Sequence, residues 1–184
     1  QMLSLVNGLY AAEQFAQACV ADADAFLWWD LHNGIETNYN LSSTLYGWRN
    51  YGDYGLLASS TNFGDAINER YPVFYAFKLL TNSARPGDRL VAVTNSHPDV
   101  LHAYACIPPD TASVRLLVIN TSPDSDLRPT ISLEGFAAGS NATAFSYGIT
   151  NDTTRGDITV TPLILNPASL RHTFPRYSMT VLRF

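Results

Sequence analysis

The chain has 184 residues, of which 46% are hydrophobic and 15% charged, and its formal net charge is −5. That length can bury a substantial core, and the composition is that of a globular chain, not a disordered one. The 11 Lys and Arg are scattered, which argues against a nucleic-acid partner, and no apolar run reaches membrane-spanning length.

In chain order, Leu5, Leu9, Ala12, Phe15, Ala16 and Cys19 recur at helical spacing, so residues 2–20 are expected to form a helix. After a short turn, residues 25–29 form an apolar run that reads as a buried strand of parallel type. It runs directly into Trp28-Trp29-Asp30-Leu31-His32-Asn33-Gly34. Two indoles, a carboxylate, an imidazole and a carboxamide at a strand end suit a sugar. Indole faces stack on the C–H surface of a pyranose, and the polar groups bond its hydroxyls. A long polar and aromatic loop follows to about Asn68, with Tyr39, Tyr46, Trp48, Tyr51 and Tyr54. Loops of that length are usually functional. Tyr46 and Trp48 are candidates for outer sugar subsites, with packing of the loop as the plain alternative. Pro72 then suits the first turn of a helix over 71–81.

Ala84-Arg85-Pro86-Gly87-Asp88 marks a boundary, after which the pattern changes. Short β-rich runs at 90–94, 101–106, 114–120, 130–133, 142–147, 158–162 and 178–184 are separated by turn clusters. Seven such strands with no helix between them predict an antiparallel β-sandwich. Cys19 and Cys106 lie far apart in apolar contexts, which favours two buried free thiols over a bridge. Asn40, Asn120, Asn141 and Asn151 each begin an N-x-Ser/Thr sequon, of weight only in a eukaryotic secretory route.

The order of segments is distinctive: a helix, FLWWDLHNG, GDYGLL, YPVFYAFKLL, RPGDRLV, RLLVINTSPDSDLRPTISLEGF and finally YSMTVLRF. It resembles the C-terminal part of retaining clan-A glycoside hydrolases of the arabinofuranosidase, family 44 endoglucanase and heparanase-like kinds. The resemblance implies a fold of mixed class, α/β plus all-β: a C-terminal fragment of a (β/α)8 barrel followed by an antiparallel β-sandwich. Residues 1–84 would carry the seventh barrel helix, the eighth strand and the eighth helix, and residues 85–184 the sandwich. Functional groups of such barrels lie at the C-terminal strand ends. Trp28, Trp29, Asp30, His32 and Asn33 would then line the barrel mouth as substrate-binding residues.

Retaining hydrolysis needs two carboxyl groups roughly 5–5.5 Å apart. In the families resembled these are glutamates on the fourth and seventh strands, which have no counterpart here, so no catalytic residue is expected in this chain. Glu13 reads as a solvated helix residue, Glu36 fits no catalytic motif, and Glu69 reads as favourable charge at a helix start. The expected partner is an N-terminal barrel portion carrying the glutamates, either a second chain or the missing part of the same polypeptide. The material is expected to be secreted or periplasmic, with an exposed apolar face where that portion sits.

No cofactor is expected. No HExxH motif or Cys cluster marks a zinc site, and calcium in the Asp/Asn-rich loop 30–40 is a minor alternative. The rival reading is a non-catalytic carbohydrate-binding or structural sandwich module. The sandwich region holds none of the three Trp, which favours a bracing role for it over a binding one.

Overall fold

A computed structural model of the protein describes residues 4–32, 55–59, 65–109, 112–137, 139–166 and 170–184. Asn33, Tyr46 and Trp48, with Glu36, Tyr39, Tyr51 and Tyr54, lie outside the described residues.

Two helices come first, α1 (Leu5–Val20) and α2 (Pro72–Leu80). They are followed by β1 (Arg89–Val91), β2 (Leu101–Ile107), β3 (Arg115–Asn120), β4 (Thr130–Ile131), β5 (Asn141–Gly148), α3 (Ile149–Thr153), β6 (Thr159–Ile164), β7 (Leu170–Arg171) and β8 (Ser178–Arg183). Six strands form one antiparallel sheet in the order β1-β2-β3-β8-β5-β6, and β4 pairs with β7 in a small second sheet.

Period-2 alternation on the central strands sorts the core into two layers. From β3, Leu117 and Ile119 join Met179 and Val181 of β8 and Tyr147 of β5 against α1 and α2, where Leu9, Ala12, Val73 and Leu79 meet them. The alternate residues Leu116, Val118, Leu182 and Ala144 face the other way, onto Phe174, Leu127 and Ile131 beside the small sheet. Buried on both faces, β3 reads as the apolar run Leu116–Ile119, whereas β8 buries Ser178 and Thr180 along with its apolar residues. The layers are therefore helices, main sheet and small sheet, a sandwich-like unit with its second sheet reduced.

All seven expected strands are present with shifted ends, as are both helices, trimmed to their caps. Three expectations about the elements need correction, and two about single residues. A five-residue helix, α3, interrupts the strand series, because Thr153 and Thr154 hydroxyls bond back to carbonyls of 149–151 and Asn151 Oδ1 accepts from Gly148 N. The two-residue β7 has too short a signal to be seen. Residues 25–29 are extended but join no strand among the described residues, and their side chains alternate between exposed and half-buried instead of being buried. A parallel strand acquires its ladder from neighbours on both sides, and here only its far end is bonded, as detailed below. Both cysteines are free, as expected, but Cys19 is half-buried where two buried thiols were read. Burial and the nearby Asp88 carboxylate push the Cys106 thiol up to about 12.

Glu13 is also not a solvated residue. Its Oε1 accepts from the Tyr104 hydroxyl (2.6 Å) and from Gln17 Nε2 (3.0 Å), and its Oε2 lies 2.9 Å from His102 Nδ1, so α1 is fastened to β2. Burial pushes this carboxyl up, but the bonds from Tyr104 and Gln17 and the His102 contact outweigh it and hold the group below its ordinary value of 4.5. A depressed carboxyl contributes stability above the unfolded pKa and loses it as pH falls through the folded one. Glu13→Gln is accordingly expected to lower the melting temperature at pH 7. The gap between variant and parent closes when the same melts are run near pH 3.

The helices approach each other at Gly8, where a Cβ would sit 2.9 Å from the Pro72 carbonyl oxygen and 3.0 Å from its carbon. Alanine is the better helix former by about 1 kcal/mol, yet it meets rigid backbone at the start of α2, and such overpacking costs about 1–3 kcal/mol. The clash wins. Gly8→Ala is expected to lower stability by about 1 kcal/mol in urea melts, and an increase would show that α2 gives way freely.

Candidate functional site

The strand-end segment is positioned by the two helices. Helix α1 closes through Ala21 N to Gln17 O and Ala23 N to Ala18 O, with Asp22 at φ 55 reversing the chain. The chain then runs back in extended form, and its period-2 geometry separates two faces. Phe26, Trp28 and Asp30 turn inward, while Leu27, Trp29 and Leu31 are 91%, 77% and 59% exposed.

The inward face is an aromatic cluster. Phe26 packs edge-on to Phe15 (ring centroids 6.0 Å) and stacks on Phe77 (6.2 Å), and Trp28 meets Phe77 at 5.8 Å and Tyr10 at 6.5 Å. Trp28 is thus held by packing against both helices, and Trp29 projects away from it. The Trp28 Nε1–H and Asp30 Oδ1 are buried without a hydrogen-bond partner among the described residues. The Trp29–Asp30 peptide is cis.

Beyond Trp29 the backbone is anchored. Asp30 O accepts from Leu56 N (2.9 Å) and Leu31 O from Leu57 N (3.0 Å), and residues 56–58 bond in turn to 68–71 through Tyr71 N to Leu56 O and Asn68 N to Ala58 O. His32 Nε2 lies 2.7 Å from Asn68 Oδ1, a bond made when the ring proton is on Nε2. This small ladder places His32 beside Asn68, a residue that sequence reading did not single out. Asn68 sits at φ 67, in the left-handed region that Asn tolerates better than most residues. An Asn near a turn was the only signal available for it.

Of the seven residues proposed from sequence, the structure brings together Trp28, Trp29, Asp30 and His32. Among the described residues, no group of three or more His, Cys, Asp or Glu side chains is arranged to hold a metal ion. No helix among them is long and apolar enough to cross a membrane. The exposed Trp29 indole can stack on a ring and the exposed His32 imidazole can exchange hydrogen bonds with hydroxyls.

Two helices thus lie on one face of an antiparallel sheet, with the extended segment after α1 ending in Trp-Asp-x-His. No family model and no curated protein matches the sequence. Solved structures do match. A bifunctional glucanase-xylanase from a metagenome library is similar at 26% identity and a TM-score of 0.52, over 61% of this chain and 22% of its own. A glycoside hydrolase family 30 subfamily 8 xylanase from Clostridium acetobutylicum aligns over 98% of this chain and 39% of its own, at 15% identity and a TM-score of 0.66. A family 44 xyloglucanase from Paenibacillus polymyxa aligns over 65% of this chain and 24% of its own, at 18% identity and a TM-score of 0.52. This chain therefore spans between about a fifth and two-fifths of the length of these glycoside hydrolases.

Proposed function

We propose that the chain is the C-terminal part of a retaining glycoside hydrolase acting on polysaccharides or glycosides, in which it forms one wall of the substrate cleft. The observation that carries this reading is the strand end: an indole 77% exposed close to the exposed His32, on a segment whose opposite face, carrying Phe26 and Trp28, is packed against two helices. The family 30 xylanase is similar to this chain across helices, extended segment and sheet alike, an alignment that covers 39% of the xylanase's own length. In this reading Trp29 stacks on a sugar ring and the exposed His32 bonds its hydroxyls, while Asp30, turned inward with one oxygen buried, supports the strand end from behind. Asn33, Tyr46 and Trp48 extend the wall along the loop, and Trp28 braces it. The two catalytic glutamates belong to an N-terminal barrel portion, a second chain or an upstream part of the same polypeptide. That portion would also cover Leu27 and Leu31. The protein would act outside the cytoplasm, where polysaccharides are met.

A purely structural or binding module is the rival. The sheet face toward α1 and α2 is filled by their side chains, and no Trp lies beyond residue 48, so the sandwich itself is read as a brace. Activity of the complete protein on a panel of aryl glycosides tests the reading. Hydrolysis with retained anomeric configuration supports it, and absence of turnover on every sugar leaves the rival standing.

A further inference from the structure

A second polar cleft opens where the 65–72 segment faces α3, with about 730 Å³ of space continuous with solvent. Its floor is the stacked pair Tyr75–Tyr147, centroids 4.7 Å apart and 14° from parallel. Its walls carry Asp65 and Glu69 on one side and Asp152 and Arg155 on the other. The Arg155 guanidinium spans the cleft, with Nη2 2.9 Å from the buried Asp65 Oδ1 and Nη1 3.7 Å from Glu69 Oε1, while the side chain stays 61% exposed.

These groups are not those of an ion site. Three carboxylates and two guanidinia, counting Arg70, nearly balance, and no cluster of metal-ligating geometry exists among the described residues. Acceptors and donors instead alternate along the cleft walls above the two buried tyrosine rings, the pattern that vicinal hydroxyls of a neutral polyol satisfy, since each hydroxyl both donates and accepts. The position is also held against a backbone preference. Arg155 adopts φ 51, a left-handed conformation that costs a non-glycine residue about 1 kcal/mol, although a glycine stands next to it in sequence. Asp152 is half-buried on the same wall. Burial pushes its carboxyl up, partly offset by the hydrogen bond from the Tyr147 hydroxyl and by Arg155.

The cleft adjoins the strand end through one short segment. Asn68 reaches His32, while Asp65 and Glu69, on either side of it, line the cleft.

We propose that this cleft is a second saccharide-binding site, taking a neutral sugar unit of a polysaccharide through Arg155, Asp152 and Glu69, separate from the strand end that meets the scissile residue. It rests on the reading that the protein acts on saccharides. The segment 65–70 is then shared by both sites.

The test uses the complete protein in native gels cast with soluble xylan or β-glucan, alongside turnover of a short aryl glycoside that reads the strand end alone. The variants are Asp152→Asn and Arg155→Gln, singly and together. Asp152→Asn keeps an acceptor for Tyr147 and guards against loss of fold if Asp65 does not tolerate the loss of Arg155. Retardation by polysaccharide is expected to weaken at least threefold in the variants while turnover of the aryl glycoside stays within twofold. Unchanged retardation overturns the second site. Turnover of the aryl glycoside without any retardation of the parent protein also overturns it and leaves the proposed function intact. Neither retardation nor turnover on any probe sinks both.

Discussion

Asn120→Ala is expected to cost about 3–5 kcal/mol, a large share of the roughly 5–15 kcal/mol that a domain has in total. Asn120 ends β3 with its side chain fully buried. Its Nδ2 donates to Phe174 O (2.9 Å) and Ser125 O (3.0 Å), and its Oδ1 accepts from Ser122 N (3.0 Å). One carboxamide therefore satisfies three backbone groups and ties the central strand to the Leu127–Phe174 bridge beside the small sheet. Truncation leaves each of those groups without its partner in a water-poor site, at about 1–3 kcal/mol apiece before relaxation of the exposed turn at 123–125. Asn120→Asp separates this account from mere cavity formation. It keeps the volume and the acceptor for Ser122 N but sets an anion against two carbonyls. It should destabilise at pH 7 by at least as much as alanine, and recover in part below pH 4, where the introduced carboxyl is protonated and can donate once. Urea melts at the two pH values measure both. A loss under 1 kcal/mol for both variants would show that the turn simply rehydrates. The same burial makes the sequon at Asn120 inaccessible in the folded protein, whereas Asn141, the first residue of β5, is exposed.

Residues that act through local periodicity were legible. The spacing of Leu5, Leu9, Ala12 and Ala16 gave α1, Pro72 gave the start of α2, and β-rich runs between turn clusters located every strand longer than two residues. The order of segments along the chain pointed to the glycoside hydrolase class that the solved structures are similar to. What depends on distant pairing was not legible. Glu13 looks like any polar helix residue until β2 places Tyr104 and His102 beside it, 91 and 89 positions later. Glu69 reads as a charge at a helix start, and only the fold sets it across a cleft from Arg155. The 25–29 run was read correctly as extended and incorrectly as buried in a sheet, because periodicity reports the backbone and not the neighbours that a strand needs. Sequence also treated Trp28 and Trp29 as one binding pair. Their alternation to opposite faces is the physical reason to split them.

That split makes the sharpest test of the proposed function. Trp29→Ala in the complete protein is expected to raise KM for a glycoside roughly ten- to sixtyfold with little change in melting temperature. A tryptophan ring presents some 150–250 Å². Covering about 60–100 Å² of it with a sugar at about 25 cal/mol/Å² is worth roughly 1.5–2.5 kcal/mol, and the ring is 77% exposed, so its loss removes little packing. Trp28→Ala should do the reverse. Its ring is wedged among Phe26, Phe77 and Tyr10 between α1 and α2, and truncating a half-buried tryptophan there costs about 2–4 kcal/mol, which lowers the melting temperature by several degrees. With the strand end loosened, turnover falls only as far as the fold does, and lowering the assay temperature restores it. Paired melts and Michaelis curves on the two variants decide the matter. If Trp29→Ala leaves KM unchanged, the exposed indole is not a sugar platform. If both variants behave alike in the melts, the two faces of this segment are not the separate surfaces that its geometry describes.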